Sequence, residues 1–321
     1  RHKLSVGTEY IVDVLKSQTD NIAKEDAYTL ALFAQDEIKL LRNLQALIGV
    51  RYIYHENFKN HATPNVALMY KPGKFNFRAS YAAGFRTPTL SELYATDIAK
   101  KNDRLTIGNL DLKSEKNNYF SLSAEYVHER FSVSVNAFYN NIRDMIDYNT
   151  IATGDKAMEQ YGHKEVRQRD NIAEAKVYGI NVSANAYLGA GFNLSGGYTH
   201  LNTQDVELEQ PIDKSIKNAY NINAQWAHSW KIYRLNINLN GRINSKRFSK
   251  SYGYAPEYQL WNLNTRHSFN LKSVIIEPGC GMENLFDYMD DRPYNSNYAT
   301  LTPGRSFYIS LSLKFNEDNI K

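Results

Sequence analysis

From Gly304 to Phe315 the sequence reads GRSFYISLSLKF. Phe307, Ile309, Leu311, Leu313 and Phe315 fall on one side of an extended chain, and Ser306, Tyr308, Ser310, Ser312 and Lys314 on the other. A strict period of two marks a strand with one apolar and one polar face. A soluble sandwich strand reads the same way, so the pattern has to be followed through the chain.

It recurs fourteen times, over residues 4–16, 26–40, 45–58, 65–71, 74–84, 118–128, 130–148, 164–188, 191–206, 219–230, 232–249, 257–270, 273–286 and 304–315. Between these segments short connections (41–43, 72–74, 128–130, 188–191, 230–231, 270–272) alternate with long ones (18–25, 59–64, 86–115, 150–163, 207–217, 250–256, 287–303). An antiparallel up-and-down sheet with one short-turn rim and one long-loop rim produces this order. Many segments are longer than the usual five or six residues of a soluble strand. Rows such as Asn236, Asn238 and Asn240 are too polar to bury dry. The expected fold is all-β: an antiparallel transmembrane β-barrel with lipid on its apolar face. A soluble sandwich or propeller is the plainer alternative, and it lacks support because no blade repeat is present.

Composition agrees. There are 24 Tyr, 14 Phe and 3 Trp, hydrophobic content is 42% and mean hydropathy is −0.55, which suits aromatic girdles and polar loops. No apolar run is long enough for a membrane helix. Net charge is +4 with no basic run, which argues against nucleic acid. One cysteine, Cys280, excludes an internal disulfide framework and a cysteine zinc site. Nucleophile-elbow, P-loop, HExxH and dinucleotide motifs are absent, so no enzyme is expected. The chain opens at Arg1 without a signal segment, which is read as a mature or truncated product.

Five blocks carry a family resemblance: YAAGFRTPTLSELY at 81–94, GNLDLKSEK at 108–116, FSVSVNAFYNNIRDMID at 131–147, ENLFDY at 283–288 and PGRSFYISLSLKF at 303–315. In order and spacing they resemble the C-terminal part of the barrel of a TonB-dependent outer-membrane receptor. The resemblance implies a twenty-two-stranded barrel filled by an N-terminal plug that engages TonB. About fourteen of those strands are read here (1–315, with 316–321 as a tail), and the plug is not. It implies gated uptake of a scarce iron or cobalt complex of the siderophore, haem or cobalamin class, held by long outer loops, with no covalent cofactor. Outer-membrane lipid, lipopolysaccharide and TonB are the implied partners, and the bacterial outer membrane the location. A passive porin or adhesive barrel is the alternative. Phe85-Arg86-Thr87-Pro88 and Asn109-Leu110-Asp111-Leu112 resemble blocks of the family's haem branch, but the intervening histidine of that branch is missing.

Candidate ligand contacts follow from this frame. Arg86 and Glu92 flank Pro88 at the foot of the longest loop, and Tyr94 ends the first block there. His163 is the loop histidine that could replace the missing ligand. Arg247, Tyr252 and Tyr254, with Lys250, occupy one loop, and Arg292, Tyr294 and Tyr298 the last. Tyrosine and arginine suit an anionic or aromatic chelate through stacking and charge-assisted hydrogen bonds. The plainer reading is a salt-linked strand end for Arg86 and an interfacial belt for the tyrosines. Arg167 and Arg169 share one parity, as do Arg234 and Arg242, and either pair could give a lumen a positive field or meet plug carboxylates. His55, His61 and His200 show no metal spacing; Asp287, Asp290 and Asp291 resemble a calcium-binding loop, with a solvated acidic turn as the plainer reading.

Overall fold

The computed structural model describes residues 2–17, 22–100, 102–172, 174–249, 253–271, 273–290 and 303–315. Its elements run β1 (His2–Ser17), β2 (Ile22–Leu41), β3 (Leu44–His55), β4 (Lys59–Tyr70), β5 (Phe75–Arg86), α1 (Leu90–Tyr94), β6 (Thr96–Ala99), β7 (Arg104–Ile107), β8 (Glu115–Val127), β9 (Phe131–Arg143) and β10 (Met145–Thr153). They continue with α2 (Gly154–Tyr161), β11 (Glu165–Ile172), β12 (Ala175–Gly189), β13 (Phe192–Asp205), β14 (Asn218–Trp230), β15 (Tyr233–Asn244), β16 (Arg247–Ser249), β17 (Gly253–Ala255), β18 (Tyr258–Asn270), β19 (Val274–Glu283) and β20 (Ser306–Phe315). Fourteen of the strands form one antiparallel sheet in the order β1-β2-β3-β4-β5-β8-β9-β12-β13-β14-β15-β18-β19-β20. Sequence neighbours pair throughout, because each short turn leaves its two strands adjacent.

The register carries one polar face across the sheet. Ser80 and Ser121 share a hydrogen bond at 2.6 Å, and so do Ser134 and Ser183 at 2.7 Å. Thr199 donates to Asn181 at 3.0 Å, and Asn223 to Asn240 at 2.5 Å. Arg51 is paired with Glu9, and Lys314 with Glu277 at 2.6 Å. Paired with one another, these side chains need no dry core. Arg234 and Arg242 lie on this face, in register with Ser268 and Asn221.

The other face is apolar and exposed, bounded by two aromatic belts. Toward the long loops come Tyr10, Tyr28 and Tyr54, then Tyr81 with Phe120, Tyr139 with Tyr178, and Tyr198 with Tyr220. Toward the short turns come Phe75, Tyr126 and Phe131, then Phe192 with Trp226, and Trp230, Tyr233 and Phe269. Phe131 and Tyr139 sit eight residues apart on β9. That is about 27 Å along the strand, or about 20 Å of height at a 40° tilt, close to an outer-membrane apolar band. This is the face that the alternation assigns to lipid.

The sheet is open. Among the described residues β1 pairs only with β2, and β20 only with β19. Ile309 of β20 is 88% exposed. The register sets Phe307, Ile309 and Leu311 on the apolar face and Tyr308, Ser310 and Ser312 on the polar face.

Four expectations change. Residues 59–64 are not a long loop: a tight turn at 56–58 returns the chain directly into β4. There His55 Nδ1 accepts from the Asn57 N–H at 3.1 Å, and a buried imidazole thus caps the turn. Residues 130–148 are not one strand, because Asp144 takes a positive φ of 55° and turns β10 out of the main sheet. Residues 164–188 divide into β11 and β12, which belong to different sheets. Residues 232–249 likewise divide into β15 and β16. No Gly or Pro marks any of these breaks, so the sequence alone joined what pairing separates.

Candidate functional site

At the long-loop rim the chain between β5 and β8 and the chain between β9 and β12 build one structure. It is a four-stranded sheet in the order β10-β11-β7-β6, with β11 and β7 parallel. Leu105, Ala152 and Val166 meet Ala157 of α2 on one face, with Ile107, Ile151 and Tyr161 packed around them. Nearer the barrel, Leu93, Leu112 and Ile146 form a second core with Phe58 and Tyr94. Side chains lock the two loops together. Asn171 accepts from the Lys113 N–H at 2.7 Å and donates to the Asp144 carbonyl at 2.6 Å, and Asn109 donates to the Arg169 carbonyl at 2.9 Å.

Arg86 holds the base. Its Nε and Nη2 donate to both Glu115 oxygens at 2.8 and 2.7 Å, and its Nη1 donates to Glu92 at 2.8 Å. Glu92 also closes the capping box of α1: it accepts from the Thr89 N–H at 2.9 Å, and its own N–H donates to Thr89 Oγ1 at 3.2 Å. Glu115 Oε1 accepts from the Ile146 N–H at 2.8 Å. Burial alone would raise the Glu92 carboxyl; Arg86 and Thr89 overcome it and hold the group below the ordinary glutamate value. From this base α1 reaches across to lie against β1 and β2.

Alternation divides the loop sheet chemically. Val166 points into the α2 core, so Glu165, Arg167 and Arg169 point to the opposite face. Register adds Tyr148 beside Arg169, Thr150 beside Arg167, and Arg104 and Thr106 from β7. Three arginines therefore share a face, accompanied by Glu165 and Asp97. The Arg169 guanidinium lies 3.7 Å from the Tyr148 ring centre, and Arg167 Nε donates to Glu165 at 2.5 Å. Arg104 Nε–H is buried without an acceptor among the described residues. Ile146, on this same face, packs onto Leu93 and Leu112, so the arginine face is turned toward α1.

The sequence-predicted residues divide accordingly. Arg86 sits in the network just described, with all three guanidinium nitrogens engaged. Tyr94 packs against the lower core. His163 Nδ1 donates to Asp103 at 2.8 Å, clamping the β11 entry to the β7 entry. This bond holds the Asp103 carboxyl below the ordinary aspartate value. Arg247 and Tyr254 belong to the small β16–β17 hairpin, where Tyr254 packs edge-on against Phe248 with centroids 5.3 Å apart. That hairpin meets the 206–217 loop through the Lys214 and Phe248 backbones. Tyr252, Arg292, Tyr294, Tyr298, Lys250 and Asp291 lie outside the described residues. Arg167 and Arg169 belong to the loop sheet, not to a barrel wall. Arg104 and Tyr148 were not singled out, because only the pairing of distant loops brings them beside Arg169. Near the last strand, Asn284 accepts from the Tyr288 N–H at 2.8 Å and Asp287 from the Arg305 N–H at 2.6 Å, which makes this acidic turn a backbone clasp.

A family model described as TonB dependent receptor-like, beta-barrel matches residues 2–285. An iron-regulated outer membrane virulence protein of Vibrio cholerae serotype O1 is 24% identical over 98% of this chain and 49% of its own length. A ferric enterobactin receptor of Pseudomonas aeruginosa is 23% identical over 91% of this chain and 43% of its own length. The chain thus spans about half the length of these curated relatives. Among solved structures, a mutant of the ferric enterobactin receptor from Pseudomonas aeruginosa superposes with a TM-score of 0.78 at 20% identity, covering 97% of this chain and 50% of that one. The copper transporter OprC superposes with a TM-score of 0.74 at 12% identity, covering 98% and 54%.

Proposed function

The chain belongs to the TonB-dependent receptor family, as part of its outer-membrane β-barrel, and from that premise we propose that it forms the ligand-capturing portion of a receptor for an anionic ferric siderophore. The observation that carries this reading is the arginine face of the loop sheet. Arg104, Arg167, Arg169 and Tyr148 converge from three strands, and one buried guanidinium N–H lacks an acceptor among the described residues. An iron chelate with anionic oxygens and flat aromatic groups would take charge-assisted hydrogen bonds from the arginines and stack on Tyr148. The relatives named as iron-regulated and as a ferric enterobactin receptor favour iron over cobalamin. Capture at the mouth would be followed by TonB-driven passage through the barrel, with the energised step made by a plug domain. Haem is the weaker reading, since the one loop histidine considered for it, His163, is engaged with Asp103.

The test uses the full-length receptor in an iron-starved strain. Uptake of radio-iron as an anionic siderophore complex is expected to require TonB and to fall at least about tenfold in R104A/R167A/R169A, each lost charge-assisted bond being worth about 1.5–3 kcal/mol. Unchanged binding and uptake in that variant would overturn the arginine face as the capture site. Uptake without TonB would overturn active transport and favour a passive pore.

A further inference from the structure

Four adjacent strands of the main sheet, β9, β12, β13 and β14, carry almost no charge on their polar face. The register puts Ser134 beside Ser183, Asn136 beside Asn181, and Asn193 beside Gln225. Followed by twos along each strand, this face holds Ser, Thr, Asn, Gln, Gly and Ala, with a few aliphatic or aromatic side chains such as Phe138. Its single charged member among the described residues is Asp205, at the loop end of β13. Charge returns on both flanks of the same face: Arg78 on β5 and Glu125 on β8 on one side, Arg234 and Arg242 on β15 and Arg266 on β18 on the other. Several of the uncharged groups keep their hydrogen-bonding capacity. Asn136, Asn185, Asn193 and Gln225 form no side-chain hydrogen bond among the described residues. Above this wall stands the arginine face. β10 leaves β9 at Asp144 and β11 leads into β12, so the loop sheet that carries Arg104, Arg167 and Arg169 is rooted at the head of the uncharged strands. From there Asn181, Ser183 and Asn185 step down β12 about 7 Å apart.

We infer that this uncharged wall is the track along which the anionic iron chelate descends from the arginine face through the barrel. The inference rests on the proposed function and adds the route to it. A fixed cation on the route would hold an anion as the capture site does, and a carboxylate would repel it. Passage instead needs contacts favourable enough to admit the solute, and weak and numerous enough to release it. Neutral amides and hydroxyls meet that need, because their hydrogen bonds to an anion involve only one ionised partner and no paired charge. The short step between successive side chains lets a new contact form before the last is released. The charged strands on either flank offer no such series, since each interrupts its neutral positions with an arginine or a carboxylate.

The experiment uses the full-length receptor in an iron-starved, TonB-competent strain, with a radio-iron tris-catecholate complex as the probe. Capture is read on de-energised cells and uptake on energised ones. N136D/N221D places two carboxylates on the wall, three strands apart. It is expected to leave capture within about twofold while uptake falls at least about tenfold. Q35E/N264D adds the same charge to the polar face of β2 and β18, outside the wall, and should keep uptake within about twofold. N136Q/N221Q should transport as the wild type does. Heat-modifiable migration reports a folded barrel, and S183D carries the same test if the double aspartate variant does not fold. Normal uptake by N136D/N221D, or an equal fall in Q35E/N264D, would overturn the inference. So would a fall accompanied by increased entry of vancomycin, which would make the wall a seat for the plug. Wild-type cells that capture no probe would overturn the proposed function, and the inference with it.

Discussion

Arg86 and Glu115 face each other at the last register position between β5 and β8, joined by two parallel hydrogen bonds of 2.8 and 2.7 Å. The pair ends the barrel ladder and begins the loop sheet, because Glu115 also accepts from the Ile146 N–H. Arg86→Leu would leave Glu92 and Glu115, both largely buried, without their cation. The expected cost is about 2–3 kcal/mol, local to the loops. Hydrogen exchange at the Ile146 amide reads it directly. Adding E92Q and E115Q should restore much of the protection, and unchanged protection in Arg86→Leu would contradict the anchoring role.

Acid should loosen the same region. The folded protein holds Glu92 and Asp103 below their ordinary values of 4.5 and 3.8. A depressed carboxyl contributes stability that is present above its unfolded value and lost as pH falls through its folded value. Proteolysis within the loop sheet, with an acid-active protease, should therefore accelerate below about pH 4 while the barrel strands stay protected. Asp103→Asn should bring part of that susceptibility to neutral pH. A flat profile from pH 6 to 3 would rule out these carboxylates as the clasp.

Faces can be tested one residue apart. Val135 is exposed on the apolar face midway between Phe131 and Tyr139, and Asn136 lies on the polar face. Val135→Arg should cost about 2–4 kcal/mol in a bilayer, whereas Asn136→Arg should cost little. Denaturant titration in vesicles distinguishes them, and equal costs would mean that the assigned faces are wrong.

Gly191 closes the turn between β12 and β13 at a φ of 87°, and a Cβ there would sit 1.9 Å from the Ala227 carbonyl oxygen. Gly191→Ala should therefore cost about 1–3 kcal/mol through strain and clash. Gly162 ends α2 at a φ of 74° with open space around it, so Gly162→Ala should cost about 1 kcal/mol, for the backbone alone. Slower folding or a lower midpoint in the first variant than in the second is the expected outcome.

Alternation of apolar and polar residues was enough to indicate the up-and-down main sheet, its apolar and polar faces and the two rims, though not every strand boundary, since a period of two assigns faces without reference to partners. The five motif blocks placed the chain in its family. The loop chemistry had no such local signature. Arg86 and Glu115 are 29 residues apart, and Asp103 and His163 are 60 apart. Arg104, Tyr148 and Arg169 become one face only when two loops share a sheet. The turn at Asp144 was equally illegible, because neither Gly nor Pro marks the point where a positive φ redirects the strand.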